Sequence, residues 1–337
     1  MALARTLSAC LAVVTASVCL AATVPATRPP AKAAAGDAKA PSLAQAQAAL
    51  KVPLDWMAST QVSWDVAAKP WKDGRIEIRR LLGLGDQDSL RQAMKLTYMY
   101  MQKKDIGNGH EYPMYLYLGG EFAWAVREYE AFTGAVAANR EKGHTEAYLN
   151  LASCYKHFGE HAKAVQAAQR AIALLPDPPW DVPSEAHVYD VLGDIHADSG
   201  DVARARAAWQ KAMQVMPQSK QPYGRNLIPR KVAKIQAKID LLSVAAIRPG
   251  SVKDGTYTGK SMGYVDEVTV GVTVRGGRIT DVKVTHRENI PLGSTQIIPQ
   301  RIVQSQSLNV QAVTAATTTS DAIRDACLQA LRQAGLR

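Results

Sequence analysis

Apolar positions along the chain change their period three times. Residues 7–22 form a nearly unbroken apolar run behind Arg5. From about residue 89 to 245, apolar residues recur every three or four positions, the period of a helix with one buried face. Leu90, Ala93, Met94, Thr97, Tyr98 and Met101 mark such a face between Ser89 and Lys103, and Val232, Ile235, Ile239 and Leu242 mark another. Beyond residue 264 the period drops to two. Val265, Val268, Val270, Val272 and Val274 lie among Glu267, Thr269, Gly271 and Thr273, as in a strand with one face buried. Arg275-Gly-Gly-Arg278 is a tight turn and Ile279, Val282 and Val284 a return strand, so 265–286 reads as a β-hairpin. Helical spacing returns at Ile323, Cys327, Ala330, Leu331 and Ala334, with Ser320 as the predicted N-cap and Gly335 as the stop. The predicted fold class is α+β: an N-terminal all-α helical repeat region, then a small α+β domain.

Five segments follow. Residues 1–26, with one positive charge, an apolar stretch and small residues around Ala21–Ala26, read as a secretory signal. The run is short for a membrane span of about 20 residues. The expected location is periplasmic or otherwise extracytoplasmic, with this segment either cleaved or retained as an anchor. Residues 27–48, rich in Ala, Pro and Lys, read as a disordered linker. A helical region occupies 49–144, repeats with a capping helix 145–245, and the α+β domain 250–337. Arg248-Pro-Gly250 has the composition of a linker, so a fragment beginning at residue 250 is expected to fold alone.

Self-comparison aligns 145–178 with 186–219. Tyr148, Leu151, Ala152, Tyr155, Ala164, Ala168, Ala171 and Pro176 correspond to Tyr189, Leu192, Gly193, His196, Ala205, Trp209, Ala212 and Pro217. This resembles the tetratricopeptide repeat, a 34-residue helix–turn–helix unit. Gly159 and Gly200 fall at the inter-helix turns, and Asp177–Glu185 reads as an enlarged loop between repeats. A segment from Tyr112, with Tyr115, Leu118, Gly119, Phe122, Ala131 and Ala138, reads as a degenerate third repeat. The resemblance implies either docking of a partner protein or simple spacing of the C-terminal domain.

The formal net charge is +10. Its densest stretch is 220–248, where Lys220, Arg225, Arg230, Lys231, Lys234, Lys238 and Arg248 face only Asp240. The apolar residues between those lysines describe an amphipathic cap with a solvated basic face. A nucleic-acid partner does not suit an exported chain. Cys154 and Cys327 occupy apolar helical positions and read as buried small hydrophobes. Trp56, Trp64 and Trp71 read as core. No haem or iron–sulfur cysteine spacing, Rossmann glycine fingerprint or phosphate-binding loop occurs in the sequence. Nor is a nucleophile–base arrangement evident. Any redox chemistry must therefore come from a bound group.

Four short motifs suggest which group. Asp254-Gly-Thr-Tyr-Thr-Gly259 precedes Gly263-Tyr264-Val265, then Pro299-Gln-Arg-Ile-Val303, then Asn309-Val-Gln-Ala-Val-Thr-Ala-Ala-Thr317-Thr-Thr-Ser320. In this order and spacing they resemble the FMN-binding domain of the Rnf electron-transport complex G subunit and the sodium-translocating NADH:quinone reductase C subunit. The resemblance covers about residues 250–336. It implies FMN as cofactor, its phosphate joined by a flavin transferase to the last threonine of a Ser/Thr-Gly-Ala-Thr motif, here Thr317. Thr314, Ala315, Ala316, Thr318, Ser320, Gly263 and Tyr264 are then the other candidate cofactor-binding residues. His286-Arg-Glu288 and Pro291–Gly293 match the family's loop near the flavin ring loosely. Gln311 stands where the family usually has an acidic residue, and Ala315 where it has glycine. Independently of the resemblance, Thr317 precedes a helix N-terminus, where free N–H groups favour an anion.

The combination implies an exported electron-transfer flavoprotein, with repeats docking a redox partner that could belong to a membrane complex. Two alternatives stay open. One is a repeat-based scaffold whose flavin domain is empty or holds FMN non-covalently, and the other is a flavoenzyme acting directly on a small molecule.

Overall fold

The computed structural model describes residues 41–107, 110–244, 247–248 and 250–336. The expected signal segment and residues 27–40 of the expected linker lie outside the described residues. The end of that linker is not a coil. Ser42 and Gln45 form a reciprocal capping box that opens helix α1 (Leu43–Ala49), and Leu43 is buried against α5 (Phe122–Ala138). One well-placed apolar side chain and a complete cap outweigh the alanine- and glutamine-rich composition.

The helices α2 (Trp71–Leu84), α3 (Gln87–Gln102) and α4 (Glu111–Leu118) pack in sequence and lead into α5. The tryptophans serve the core as expected. Trp71 is buried edge-on against Tyr100 and Tyr115, and Trp64 donates its indole N–H to the Tyr100 hydroxyl at 2.8 Å. α4 and α5 form a helix pair where the degenerate repeat was expected.

The repeats are α6 (Thr145–His157) with α7 (His161–Ala173), then α8 (Asp181–Asp198) with α9 (Val202–Val215). Gly159 and Gly200 sit at the turns with φ of 73° and 82°, the left-handed region in which glycine carries no Cβ penalty. The two pairs pack by different means. In the first, Ala152 and Ala168 are both fully buried. In the second, Gly193 lies under the Trp209 indole, where a Cβ would come within 2.2 Å of Nε1. The enlarged loop between repeats is shorter than predicted, because Pro183 enters the first turn of α8, where its missing N–H would have no partner anyway.

α10 (Ile228–Leu241) follows the repeats, and its role differs from that of a solvated cap. Ile235 and Ile239 join the core of the last repeat, whereas Ala237 and Leu241 join the core of the α+β domain. Lys238, expected on the basic face, has a side chain only 5% exposed. One helix thus belongs to two cores. The expected linker after it is also held: Ile247 is buried and its N–H donates to the Gln306 carbonyl at 2.7 Å.

The C-terminal domain is a three-stranded antiparallel sheet in the order β1 (Gly255–Met262), β2 (Glu267–Arg275), β3 (Arg278–Thr285), covered by α11 (Ser294–Ser305) and α12 (Thr317–Gln333). Val268, Val270, Val272 and Val274 are all buried beneath these helices, as their two-residue period requires. Gly276 and Gly277 both have positive φ, and their N–H groups donate to the Asp254 carboxylate at 2.7 and 2.8 Å. The two hydrogen bonds hold the Asp254 pKa below its ordinary value. The first residue of the Asp254–Gly259 motif therefore ties the start of β1 to the hairpin turn. The last residue admits α12: a Cβ on Gly259 would lie 2.0 Å from the Ala326 carbonyl oxygen. Cys154 and Cys327 are both buried and free, and burial raises both thiol pKa values.

Candidate flavin site

The Thr314–Thr317 motif leads directly into α12. The helix begins at Thr317 with Ala316 at the N-cap, so Ser320 is not the cap that its residue type suggested. Ser320 is buried and accepts the Val313 N–H at 3.0 Å while its hydroxyl donates to the Ala316 carbonyl at 2.9 Å. It folds the loop back onto the helix. Ala316 supplies no capping side chain, and the first turn contains no acidic residue. The N-terminus of α12 is thus left with donors that its own residues do not complement.

Ala315 has φ of +65°, the left-handed region. The glycine usual at this motif position would occupy it without strain, whereas alanine bears a cost of roughly 1–2 kcal/mol. This alanine therefore does not simply stand in for glycine at a negative φ. Its methyl group packs against the core of the N-terminal helices, so the loop leans on the repeat half of the molecule.

Other contacts tie the same loop to the repeats. Thr314 Oγ1 lies 3.1 Å from Nδ1 of His157 in the last turn of α6. His157 packs against Phe122 at 4.1 Å between ring centroids, and loss of solvent followed by the nearby Lys156 charge lowers its pKa. The Gln311 amide donates to Asp198 Oδ1 at 3.3 Å, and Oδ2 of that carboxylate is 2.9 Å from His161 Nε2. An acidic residue at 311 would face Asp198, which gives the departure at Gln311 a local reason. His157 thus meets the loop directly through Thr314, and His161 only by way of Asp198.

Between these elements lies a cavity of about 330 Å3. Thr317 and Arg324 line it from α12, Lys156 from α6, Asp194 and Asp198 from α8, and Trp209 from α9. The volume falls at the lower end of small-ligand pockets, roughly 300–1,000 Å3. Arg324 donates through Nη1 to the Val310 carbonyl at 3.1 Å and pairs through Nη2 with Asp321, but its buried Nε–H has no partner in the protein. A threonine hydroxyl at a helix N-terminus and the cations Arg324 and Lys156 suit the phosphoester end of FMN, with Asp194 and Asp198 as the anions of the same lining.

The remaining candidates divide. Gly263 and Tyr264 lie in the turn between β1 and β2, where Tyr264 is 82% exposed. Their link to the loop is Glu288, which the sequence placed only in a loose match. Its carboxylate accepts the Tyr264 and Val265 N–H groups at 3.0 and 2.9 Å and the Thr319 hydroxyl. Burial alone would raise its pKa, and the hydrogen bonds more than offset that and lower it. A Cβ on Gly263 would lie 2.5 Å from Glu288 Oε1, so glycine is needed for this clamp. With Thr319 and Ser320 both engaged, Thr318 and Thr317 are the hydroxyls of this turn without such a role.

Part of the cavity wall belongs to a charge cluster built on Lys238, which periodicity assigned to solvent and which lines the cavity together with Asp194. Lys238 Nζ is 2.8 Å from both Asp190 and Asp194 of α8 and 3.0 Å from Asp321 of α12. Burial works against its charge, but the three carboxylates raise its pKa well above the ordinary value. Asp321 is buried too, which by itself raises its pKa, yet Lys238, Arg324 and Lys234 hold it far below the usual range. Burial, aided by Asp190 and Asp321, keeps Asp194 raised. Lys234 donates to the carbonyls of Met262 and Thr318, both at 3.1 Å, and burial lowers its pKa. The signal that could have located both lysines is their spacing: 234 and 238 are four apart and share a helix face.

Fold and site together define a helical-repeat protein whose last shared helix carries a small α+β domain of flavin-binding type. Residues 263–332 match the family model of the FMN-binding domain, and residues 145–178 match that of the tetratricopeptide repeat. The chain is thus an FMN-binding protein with a tetratricopeptide repeat region. A similar protein is an uncharacterized protein of Treponema pallidum (strain Nichols), 35% identical over 88 residues, which cover 25% of this chain and 24% of that protein. The chain spans about a quarter of the length of the curated relative it matches. No solved structure matches the chain. Among the described residues, no helix is long and apolar enough to cross a membrane.

Proposed function

We propose that this chain is an exported electron-transfer flavoprotein whose FMN is esterified through its phosphate to Thr317. The observation that carries the reading is the position of Thr317. It is the first residue of an uncapped helix and lines a cavity with Arg324, whose Nε–H is unsatisfied. An esterified phosphate there would meet the positive end of the α12 dipole beside the positive charge of Arg324. Bound FMN supplies the exchange of electrons, and the chain's residues hold and orient it and exclude water. The apolar run at residues 7–22 supports export. A flavin transferase is the implied modifying partner, and a redox protein, free or in a membrane complex, the implied electron partner. A covalent link suits an exported flavin, because cofactor that dissociates outside the cytoplasm is diluted and lost.

The test is intact mass and peptide mapping of exported protein made together with the transferase. One FMN unit on the Thr317 peptide is expected. Thr317→Ala should abolish it with little change in stability, since this partly exposed hydroxyl contributes little to packing. An adduct elsewhere, or unmodified protein, refutes the assignment. The scaffold reading, with an empty or non-covalently occupied domain, draws on Ala315, whose positive φ strains the motif's loop. Colourless protein after co-expression would favour it.

A further inference from the structure

We infer that the tetratricopeptide repeats form one wall of the flavin site, with Lys156 of the first repeat supplying a cation to the phosphate carried by Thr317. This rests on the flavin reading above and extends it to residues outside the FMN-binding domain. Three observations converge. Lys156 and His157 are adjacent in the last turn of α6; His157 meets Thr314 at 3.1 Å, and Lys156 lines the cavity that Thr317 lines. The two ends of the four-residue motif therefore face the same turn of the same repeat. Next, Lys156 forms none of the ion pairs among the described residues, its charge acting on Asp194 only at a distance, whereas the neighbouring Lys238 is saturated by Asp190, Asp194 and Asp321. Finally, the Trp209 ring of the second repeat borders the cavity, so flavin held there lies within reach of an efficient fluorescence quencher.

Phosphate contact and structural support are separable, because a structural lysine stabilises modified and unmodified protein alike. The full-length chain is prepared with and without transferase, as wild type, Lys156→Gln and Lys156→Glu. The melting temperature of each is measured in both forms. Modification is expected to raise the melting temperature of the wild type, and Lys156→Gln should remove at least half of that gain while leaving the unmodified melting temperature nearly unchanged. Lys156→Glu should reverse the gain or prevent modification. Flavin emission in the wild type should be quenched several-fold relative to free FMN and resist iodide. If the gain is equal in wild type and both variants, or the wild-type flavin is as bright and as open to iodide as free FMN, the repeats are not part of the site. Those results would overturn this inference while flavin on Thr317, read by mass, stands. Wild-type protein without flavin would overturn both.

Discussion

Lys238→Met is the sharpest test of how the two halves are joined. The side chain is 5% exposed and its ammonium contacts three carboxylates, two on a repeat helix and one on the helix that begins at Thr317. Methionine preserves most of the volume but leaves Asp190, Asp194 and Asp321 facing one another, with Arg324 and Lys234 as the nearby cations. Removing one partner of a buried ionic group costs about 3–5 kcal/mol, because the remaining charges stay desolvated and unpaired. Thermal and urea unfolding should register this loss at pH 7. At about 2–4 °C per kcal/mol for a chain of this size, the first transition should fall by roughly 6–20 °C. Because the cluster spans the seam, the variant should unfold in two steps where the wild type unfolds in fewer. The pH dependence fixes the sign. In the wild type the Asp321 pKa is lowered on folding, so its contribution is present above the unfolded value, about 3.9, and lost as pH falls through the folded value. The Lys238 pKa is raised, so its contribution is complete below about 10.4 and lost as pH rises through the folded value. In Lys238→Met the carboxylate pKa values rise, protonation relieves the repulsion, and the gap to wild type should narrow between pH 7 and pH 4. A loss under about 1 kcal/mol, or a gap that widens on acidification, would refute the account.

Three further substitutions test the loop and its support. Gly259→Ala should cost about 3 kcal/mol, near the upper end for overpacking, because its Cβ would meet the α12 backbone at 2.0 Å and the helix must move. A denaturant midpoint equal to wild type would mean that helix and strand separate easily. Ala315→Gly should raise stability by about 1 kcal/mol by relieving a positive φ; a decrease would show that methyl packing on the helical core outweighs the strain. Gln311→Asp should raise the flavinylated fraction if the transferase reads an acid there, and an unchanged fraction would show that recognition does not depend on residue 311.

The sequence by itself determined the local elements and their class. Alternating valines in β2, the glycine pair at 276–277 and the three- and four-residue spacing of the repeats act within a single strand, turn or helix pair. Period and turn chemistry are therefore enough to reveal them. Thr317 was legible for a similar reason, since its motif and the helix behind it are contiguous. Boundaries were less secure where one contact outweighs composition: Leu43 and the Ser42–Gln45 cap order the end of a strip that resembles a linker, and Ser320 turns back on Ala316 instead of capping the helix. What only the tertiary structure decided is how the two halves meet. Lys238 looked solvated because periodicity reports which face is apolar, and it cannot show that three carboxylates, from α8 and α12, will surround a cation on the edge of that face. Glu288, Asp198 and His157 acquire their roles the same way, through partners 24, 113 and 157 positions away along the chain. A site assembled across a seam leaves no periodic trace in either segment, because its geometry is fixed by the packing of separate helices and not by the order of residues within one.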